Sequence, residues 1–73
     1  MDKIKIEPFF AVEIETVMYI GLRAEHRNEI YCFLMPKGEY LKRNAPKHYE
    51  PWMSGFRIAK DLALALVNLS RNR

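Results

Sequence analysis

Few residues of this sequence fall in patterns that could support catalysis or metal binding: one closely spaced pair of carboxylates, two histidines and one cysteine. Glu13 and Glu15 lie two residues apart on one face of a predicted strand. Acid–base catalysis can use such a pair when the two pKa values are set apart. Both side chains are expected to face solvent, with Lys3 and Lys5 as cross-strand neighbours, so the sequence does not favour a catalytic role for them.

The histidines and the cysteine lack the partners that their chemistry would require. A zinc site needs three or four ligands, and His26 and His48 lie far apart in predicted loops. A nucleophilic cysteine needs a neighbouring base, whereas Cys32 lies in the middle of a predicted strand and is interpreted as a buried structural thiol. The sequence has no phosphate-binding loop and no nucleophile elbow. We therefore predict no enzymatic activity, no catalytic residue, no cofactor, no metal and no small-molecule substrate.

A basic segment with interspersed aromatic residues occupies the middle of the chain. Residues 37–52 include Lys42, Arg43 and Lys47 together with Tyr49 and Trp52. Lysine and arginine neutralise phosphates and aromatic rings stack on unpaired bases, so this pattern is one that nucleic-acid-binding modules use. The same aromatic rings could instead pack the segment onto the sheet. Both interpretations stay open from the sequence.

Charge is unevenly distributed along the chain. Residues 1–35 carry a net charge of −2 and residues 36–73 a net charge of +5. A basic half increases the rate of encounter with an anionic partner, which is either nucleic acid or an acidic protein surface. The alternative is a solvated basic surface that keeps a small protein in solution.

The hydrophobic pattern predicts one small α+β domain over residues 1–73. Apolar residues alternate with polar ones from Ile4 to Ile20, and a second apolar run begins at Ile30. We predict a three-stranded antiparallel sheet with one C-terminal helix packed on it. The predicted bounds are strands near 3–7, 10–23 and 29–35, a loop over 36–53, and a helix over 54–70 with Ser54 as its N-cap.

The predicted helix has one polar stripe that contains a leucine. Arg57, Lys60 and Asn68 share the stripe, and Leu64 lies in its middle. Because packing on the sheet does not explain Leu64, we predict that this stripe binds a protein. The predicted partner-binding residues are this stripe and the basic residues of the loop: Arg57, Lys60, Leu64, Asn68, Lys42, Arg43 and Lys47. Leu62, Leu66 and Leu69 are predicted to fill the core.

The longest unbroken apolar runs have six residues, too few to cross a bilayer. The first residues do not form an apolar signal segment. From the sequence we expect a soluble protein of the cytoplasm that has no membrane partner.

The layout of the whole chain resembles a known class of proteins. It runs from Lys3-Ile4-Lys5-Ile6 through Glu29-Ile30-Tyr31-Cys32-Phe33 to the predicted C-terminal helix. In length, basic charge and strand-first order it is similar to the very small phage-encoded regulators of host RNA polymerase. The resemblance implies inhibition of transcription initiation through a segment of the polymerase β′ subunit, a role in antitermination, and action in the host cytoplasm. It assigns no functional residue. The alternative is a small nucleic-acid-binding module that uses residues 37–52 and the helix face.

Overall fold

The structure, a computed structural model, describes residues 3–72. It confirms an α+β fold with an antiparallel sheet and a C-terminal helix. The sheet has four strands in the order β1-β2-β3-β4, whereas the sequence predicted three. The elements in chain order are β1 (Ile6–Ile14), β2 (Val17–His26), β3 (Glu29–Pro36), α1 (Lys37–Lys42), a 3₁₀ helix (Pro51–Phe56), β4 (Arg57–Ile58) and α2 (Lys60–Arg71). None of the helices in this part of the chain has the length and apolar character needed to cross a membrane.

The first three strands are joined by two tight turns of two residues each. Glu15 and Thr16 have φ angles of 48° and 69°, and Arg27 and Asn28 have φ angles of 52° and 65°. Positive φ at both central residues defines the type I′ turn, which matches the twist of antiparallel strands. The prediction of one strand over 10–23 was therefore wrong, because the chain reverses at Glu15–Thr16.

The first strand is longer and less regular than predicted. Only residues 6 and 7 of the predicted short strand at 3–7 belong to β1, which continues through Pro8 into the start of the next predicted strand. The pairing of β1 with β2 shifts register between Pro8 and Phe10, so Phe9 forms a bulge and Phe10 lies opposite Gly21. Proline is tolerated here because β1 is an edge strand.

The largest buried cluster lies on the side of the sheet that residues 37–56 cover, which we call the loop side. The predicted loop over 36–53 contains α1 and the start of the 3₁₀ helix, both too short for a periodic sequence signal. Near its end, an isolated bridge pairs Lys5 with His48. The buried members of the cluster are Ile6, Leu22, Ala24, Phe33, Met35 and Met53.

The opposite side of the sheet, which we call the helix side, is covered by α2. By register, Val12 and Cys32 point to this side, and both are buried. On α2 itself the buried residues are Ala63 and Leu66. The sheet is thus packed on both faces, which agrees with the apolar side chains that β3 carries on each of its faces.

The helix begins later than predicted and buries a narrower face. Its N-cap is Ala59, whereas Ser54 lies in the 3₁₀ helix, so the predicted start at 54 was wrong. Leu66 is buried as predicted, but Leu62 and Leu69 are exposed. The physical reason is that apolar residues cover more of the helix circumference than one sheet face can bury.

Candidate functional site

Three of the predicted partner-binding residues form one exposed row on α2. Lys60, Leu64 and Asn68 are spaced four residues apart, so they lie one above another on the same side of the helix. All three are exposed, whereas Ala63 and Leu66 hold the helix against the sheet. The structure therefore places Leu64 on the surface, as the sequence predicted.

Two further leucines add to the apolar surface of α2. Leu62, Leu64 and Leu69 are 48%, 64% and 54% exposed. Leu62 and Leu69 were not predicted to be surface residues, because the helical pattern placed both of them in the core. The signal that could have found them is the number of apolar residues around α2, which is greater than a helix packed on one side needs. We call these three residues the α2 leucines.

The basic residues of the loop differ in how firmly they are held. The Arg43 Nε atom donates to Glu39 Oε1 at 3.0 Å, and the Arg43 guanidinium lies 4.1 Å from the centre of the Trp52 ring. Lys42 lines a surface groove with Arg43 and Trp52. Lys47 has an exposed side chain, and its backbone carbonyl accepts a 3.0 Å hydrogen bond from the Ile6 N–H. Arg43 is thus part of the packing of the loop, whereas Lys42 and Lys47 form no ion pair among residues 3–72.

The seventh predicted residue, Arg57, is not on the helix. It lies in β4, and its guanidinium is 4.5 Å from the centre of the Tyr31 ring on the loop side. The predicted set is therefore divided by the sheet. Lys60, Leu64 and Asn68 are on the helix side, while Arg57 and the basic loop are on the loop side. The assignment of Arg57 to the helical stripe was wrong because the chain is still extended at residues 57 and 58.

A small pocket beside Arg57 was not predicted from the sequence. It has a volume of about 210 Å³. The Phe33 and Tyr49 rings form part of its wall, with ring centres 5.6 Å apart. The pocket combines residues from the N-terminal segment, β2, β3, the loop, the 3₁₀ helix and β4. Its lining residues are Ile4, Ala24, His26, Tyr31, Phe33, Tyr49, Ser54 and Arg57.

No protein-family model, curated protein or solved structure matches this chain. The function is therefore inferred from the geometry and chemistry of these surfaces.

Two side chains with ionisable groups, Cys32 and Tyr31, have pKa values raised by their surroundings. Burial raises the pKa of the Cys32 thiol, which keeps it protonated and poorly nucleophilic. The Tyr31 hydroxyl donates a 2.7 Å hydrogen bond to Glu29 Oε2, and this bond raises the pKa of Tyr31. Within residues 3–72, no three His, Cys, Asp or Glu side chains come together as metal ligands. The described geometry is suited to binding through apolar and cationic surfaces.

Proposed function

We propose that this chain is a non-catalytic regulator that acts by occupying a surface of a larger protein in the host cytoplasm. The observation that carries the proposal is Leu64, which is 64% exposed on the side of α2 turned away from the sheet, although the helix is already packed through its opposite face. Following the resemblance of the chain to small phage regulators, we propose host RNA polymerase as the target. The proposed effects are inhibition of transcription initiation, through a segment of the β′ subunit, and antitermination.

The energetic argument concerns three exposed apolar side chains on a twelve-residue helix. Burying a leucine contributes about 1.5–3 kcal/mol relative to full exposure, and these three are only partly buried. Leu62 and Leu69 share one flank of the helix, beside its buried face, whereas Leu64 lies on the side turned away from the sheet. A single exposed leucine is common, so what distinguishes Leu64 is its charged surroundings. Lys60 lies four residues before Leu64 and Arg71 seven residues after it, so both cations share its side of α2 and give this leucine a cationic rim. Protein interfaces commonly combine an apolar centre with a polar rim.

The exposed lysines of the loop support a role in encounter rather than in specific recognition. Lys42 and Lys47 have exposed side chains and contribute to the positive charge of the C-terminal half. Long-range attraction of this kind raises association rates with an acidic surface. A nucleic-acid-binding module remains the alternative function, and these same lysines would then contact phosphates.

The aromatic residues of the loop favour a protein partner over nucleic acid. A ring that stacks on a base needs a free face. Trp52 is covered by the Arg43 guanidinium and packs edge-on against Phe56, and Tyr49 packs against Phe33. These rings hold the loop on the sheet, which leaves less aromatic surface for unpaired bases.

The proposal is tested by binding to purified bacterial RNA polymerase holoenzyme attached to a sensor surface. We expect wild-type protein to bind and Leu64→Ala to weaken binding at least about fivefold, the equivalent of 1 kcal/mol. The matched control is Leu41→Ala, since Leu41 is a leucine of similar exposure, 57%, that lies on α1 on the loop side. Equal loss of affinity for both variants would contradict the assignment of the binding surface to α2.

A functional measurement accompanies the binding experiment. In single-round transcription from a promoter, added wild-type protein is expected to reduce initiation in a concentration-dependent manner, and Leu64→Ala to require a higher concentration. Read-through of an intrinsic terminator by elongating polymerase tests the antitermination role. Absence of polymerase binding, together with salt-sensitive binding to single-stranded oligonucleotides, would favour the nucleic-acid alternative.

A further inference from the structure

The pocket on the loop side has an apolar interior and a cationic rim. Ala24 and Phe33 are almost completely buried, and the rings of Tyr31 and Tyr49 contribute the walls. Arg57 lines the opening, and none of the lining side chains that the structure describes is acidic. We infer that this pocket receives one large apolar side chain of an acidic peptide segment of the partner, with a carboxylate beside that side chain pairing with Arg57.

The size of the pocket decides what it can hold. Sites for drug-sized ligands and cofactors usually enclose about 300–1,000 Å³. At about 210 Å³ the pocket is smaller than that range and suits a single side chain. Binding surfaces commonly anchor a partner by inserting one large side chain into such a desolvated pocket.

Arg57 supplies the specificity for a carboxylate. Its guanidinium is held over the Tyr31 ring at 4.5 Å, a cation–π contact that orients the planar group. Within residues 3–72, no carboxylate lies within ion-pair distance of Arg57, and none of the side-chain hydrogen bonds involves it. A guanidinium presents five donors in a fixed fork that matches a carboxylate. Arg57 is therefore an oriented cation whose donors are available to a partner.

The aromatic residues of the pocket favour an inserted side chain over a stacked nucleobase. The Arg57 guanidinium covers Tyr31, and Phe33 and Tyr49 pack against each other at a ring-plane angle of 42°. Tyr31 is further held by its hydrogen bond to Glu29. These contacts leave less ring face for a base to stack on, whereas a leucine or phenylalanine side chain needs only apolar walls.

This inference rests on the proposed function, in which the chain binds a protein, and it adds a second contact. The pocket lies on the loop side of the sheet, and the α2 leucines lie on the helix side. The two contacts can therefore be tested independently, because a variant at one should leave the other unchanged.

Three blocked peptides are suitable probes: one with a phenylalanine between two aspartates, one with the aspartates replaced by asparagines, and one with the phenylalanine replaced by alanine. Each is titrated into ¹⁵N-labelled protein while backbone amide chemical shifts are recorded. We expect the first peptide to shift the amides of Ala24, Ser54 and Arg57 in a saturable manner. Both substituted peptides should bind about tenfold more weakly, because each lacks the apolar anchor or the charge-assisted hydrogen bonds.

The decisive variant is Arg57→Gln, with Lys37→Gln as the matched control for loss of one positive charge, because Lys37 is exposed and does not line the pocket. Arg57→Gln should weaken binding of the acidic phenylalanine peptide about tenfold, and Lys37→Gln should leave it unchanged. Melting temperatures and dispersed amide spectra establish that both variants are folded. Arg57→Lys separates the effect of charge from that of shape, because lysine keeps the positive charge but lacks the planar guanidinium with its paired N–H donors. We expect this variant to bind the peptide more weakly than wild type.

Several results would overturn the inference. One is equal binding of all three peptides, and another is a set of shifts confined to amides of α2. A third is displacement of the same pocket shifts by oligothymidylate with a steep salt dependence, which would identify a nucleic-acid site. Polymerase binding without any saturable pocket shifts would overturn the inferred peptide contact in the pocket and leave polymerase as the proposed target. Saturable pocket shifts without polymerase binding would support the pocket and overturn polymerase as the target.

Discussion

The Phe10 ring occupies the space above Gly21 where any other residue would carry its Cβ. A Cβ built on Gly21 would overlap three carbon atoms of that ring. The two residues are cross-strand partners on the helix side of the sheet, next to the bulge at Phe9. Gly21 is therefore required because an aromatic side chain packs directly on the backbone, a way of filling the gap that a glycine leaves in a strand.

Gly21→Ala is expected to lower the free energy of unfolding by about 1–3 kcal/mol, the usual cost of overpacking a filled site. Urea denaturation followed by circular dichroism measures the change. Gly38→Ala is the control, because a Cβ there meets no atom within 4 Å. It should be neutral or stabilising by up to about 1 kcal/mol, since alanine restricts the unfolded chain more than glycine does. Identical losses in both variants would contradict the close contact with Phe10.

Two leucines of α2 that lie four residues apart should differ strongly in their effect on stability. Leu66→Ala leaves a cavity beneath the helix and should cost about 2–5 kcal/mol. Leu62→Ala removes a half-exposed side chain and should cost less than about 1 kcal/mol. Thermal unfolding of both variants compares them directly. A larger loss for Leu62→Ala would mean that the helix is rotated relative to the orientation described above.

Reversing the free cations of the loop should slow association without unfolding the protein. The double variant Lys42→Glu and Lys47→Glu is expected to lower the on-rate for an acidic partner, most clearly at low salt. Reversing Arg43 as well should also reduce stability, because Arg43 pairs with Glu39 and stacks on Trp52. On-rates measured at two salt concentrations, alongside melting temperatures, separate the two effects. Unchanged on-rates would assign these lysines to a solvated surface.

The Cys32 thiol should react slowly in the folded protein. Burial raises its pKa above the value of the unfolded chain, so the folded state resists deprotonation. The contribution of the protonated thiol to the free energy of unfolding is fully present below the unfolded-state pKa, about 8.5. It is lost as pH rises through the folded-state pKa. Alkylation by iodoacetamide at pH 8 should be much slower than in urea. Equal rates in buffer and in urea would show that the thiol is accessible.

The sequence predicted those features that depend on local alternation. Cys32 and Leu66 were predicted to be buried and are, and Leu64 was predicted to be exposed and is. Alternation in strands and a single helix are sufficient to predict an α+β fold. Period-two patterns place side chains on faces, but they do not show where a strand stops.

The features that were missed depend on contacts between distant parts of the chain. Glu15–Thr16 carries no glycine or asparagine to mark a type I′ turn, so the reversal there is set by the pairing of β1 with β2. The two-residue strand β4 exists only because it pairs with Cys32 and Phe33 of β3. The pocket was not predictable, since its lining residues come from six separate segments.

The pairing of residues 4–6 with residues 47–49 has a consequence for the order of folding. The Ile6 N–H donates to the Lys47 carbonyl and the Tyr49 N–H to the Ile4 carbonyl, whereas the three long strands are joined by two-residue turns. Closing the long loop between residues 5 and 48 costs more conformational entropy than forming either hairpin. The hairpins should therefore nucleate folding, and the N-terminal segment should dock late.

Substitutions at Tyr49 would then mainly accelerate unfolding in stopped-flow kinetics, whereas substitutions at Leu22 would slow refolding. Because Ile4 and Tyr49 both line the pocket, the pocket is among the last parts of the molecule to assemble.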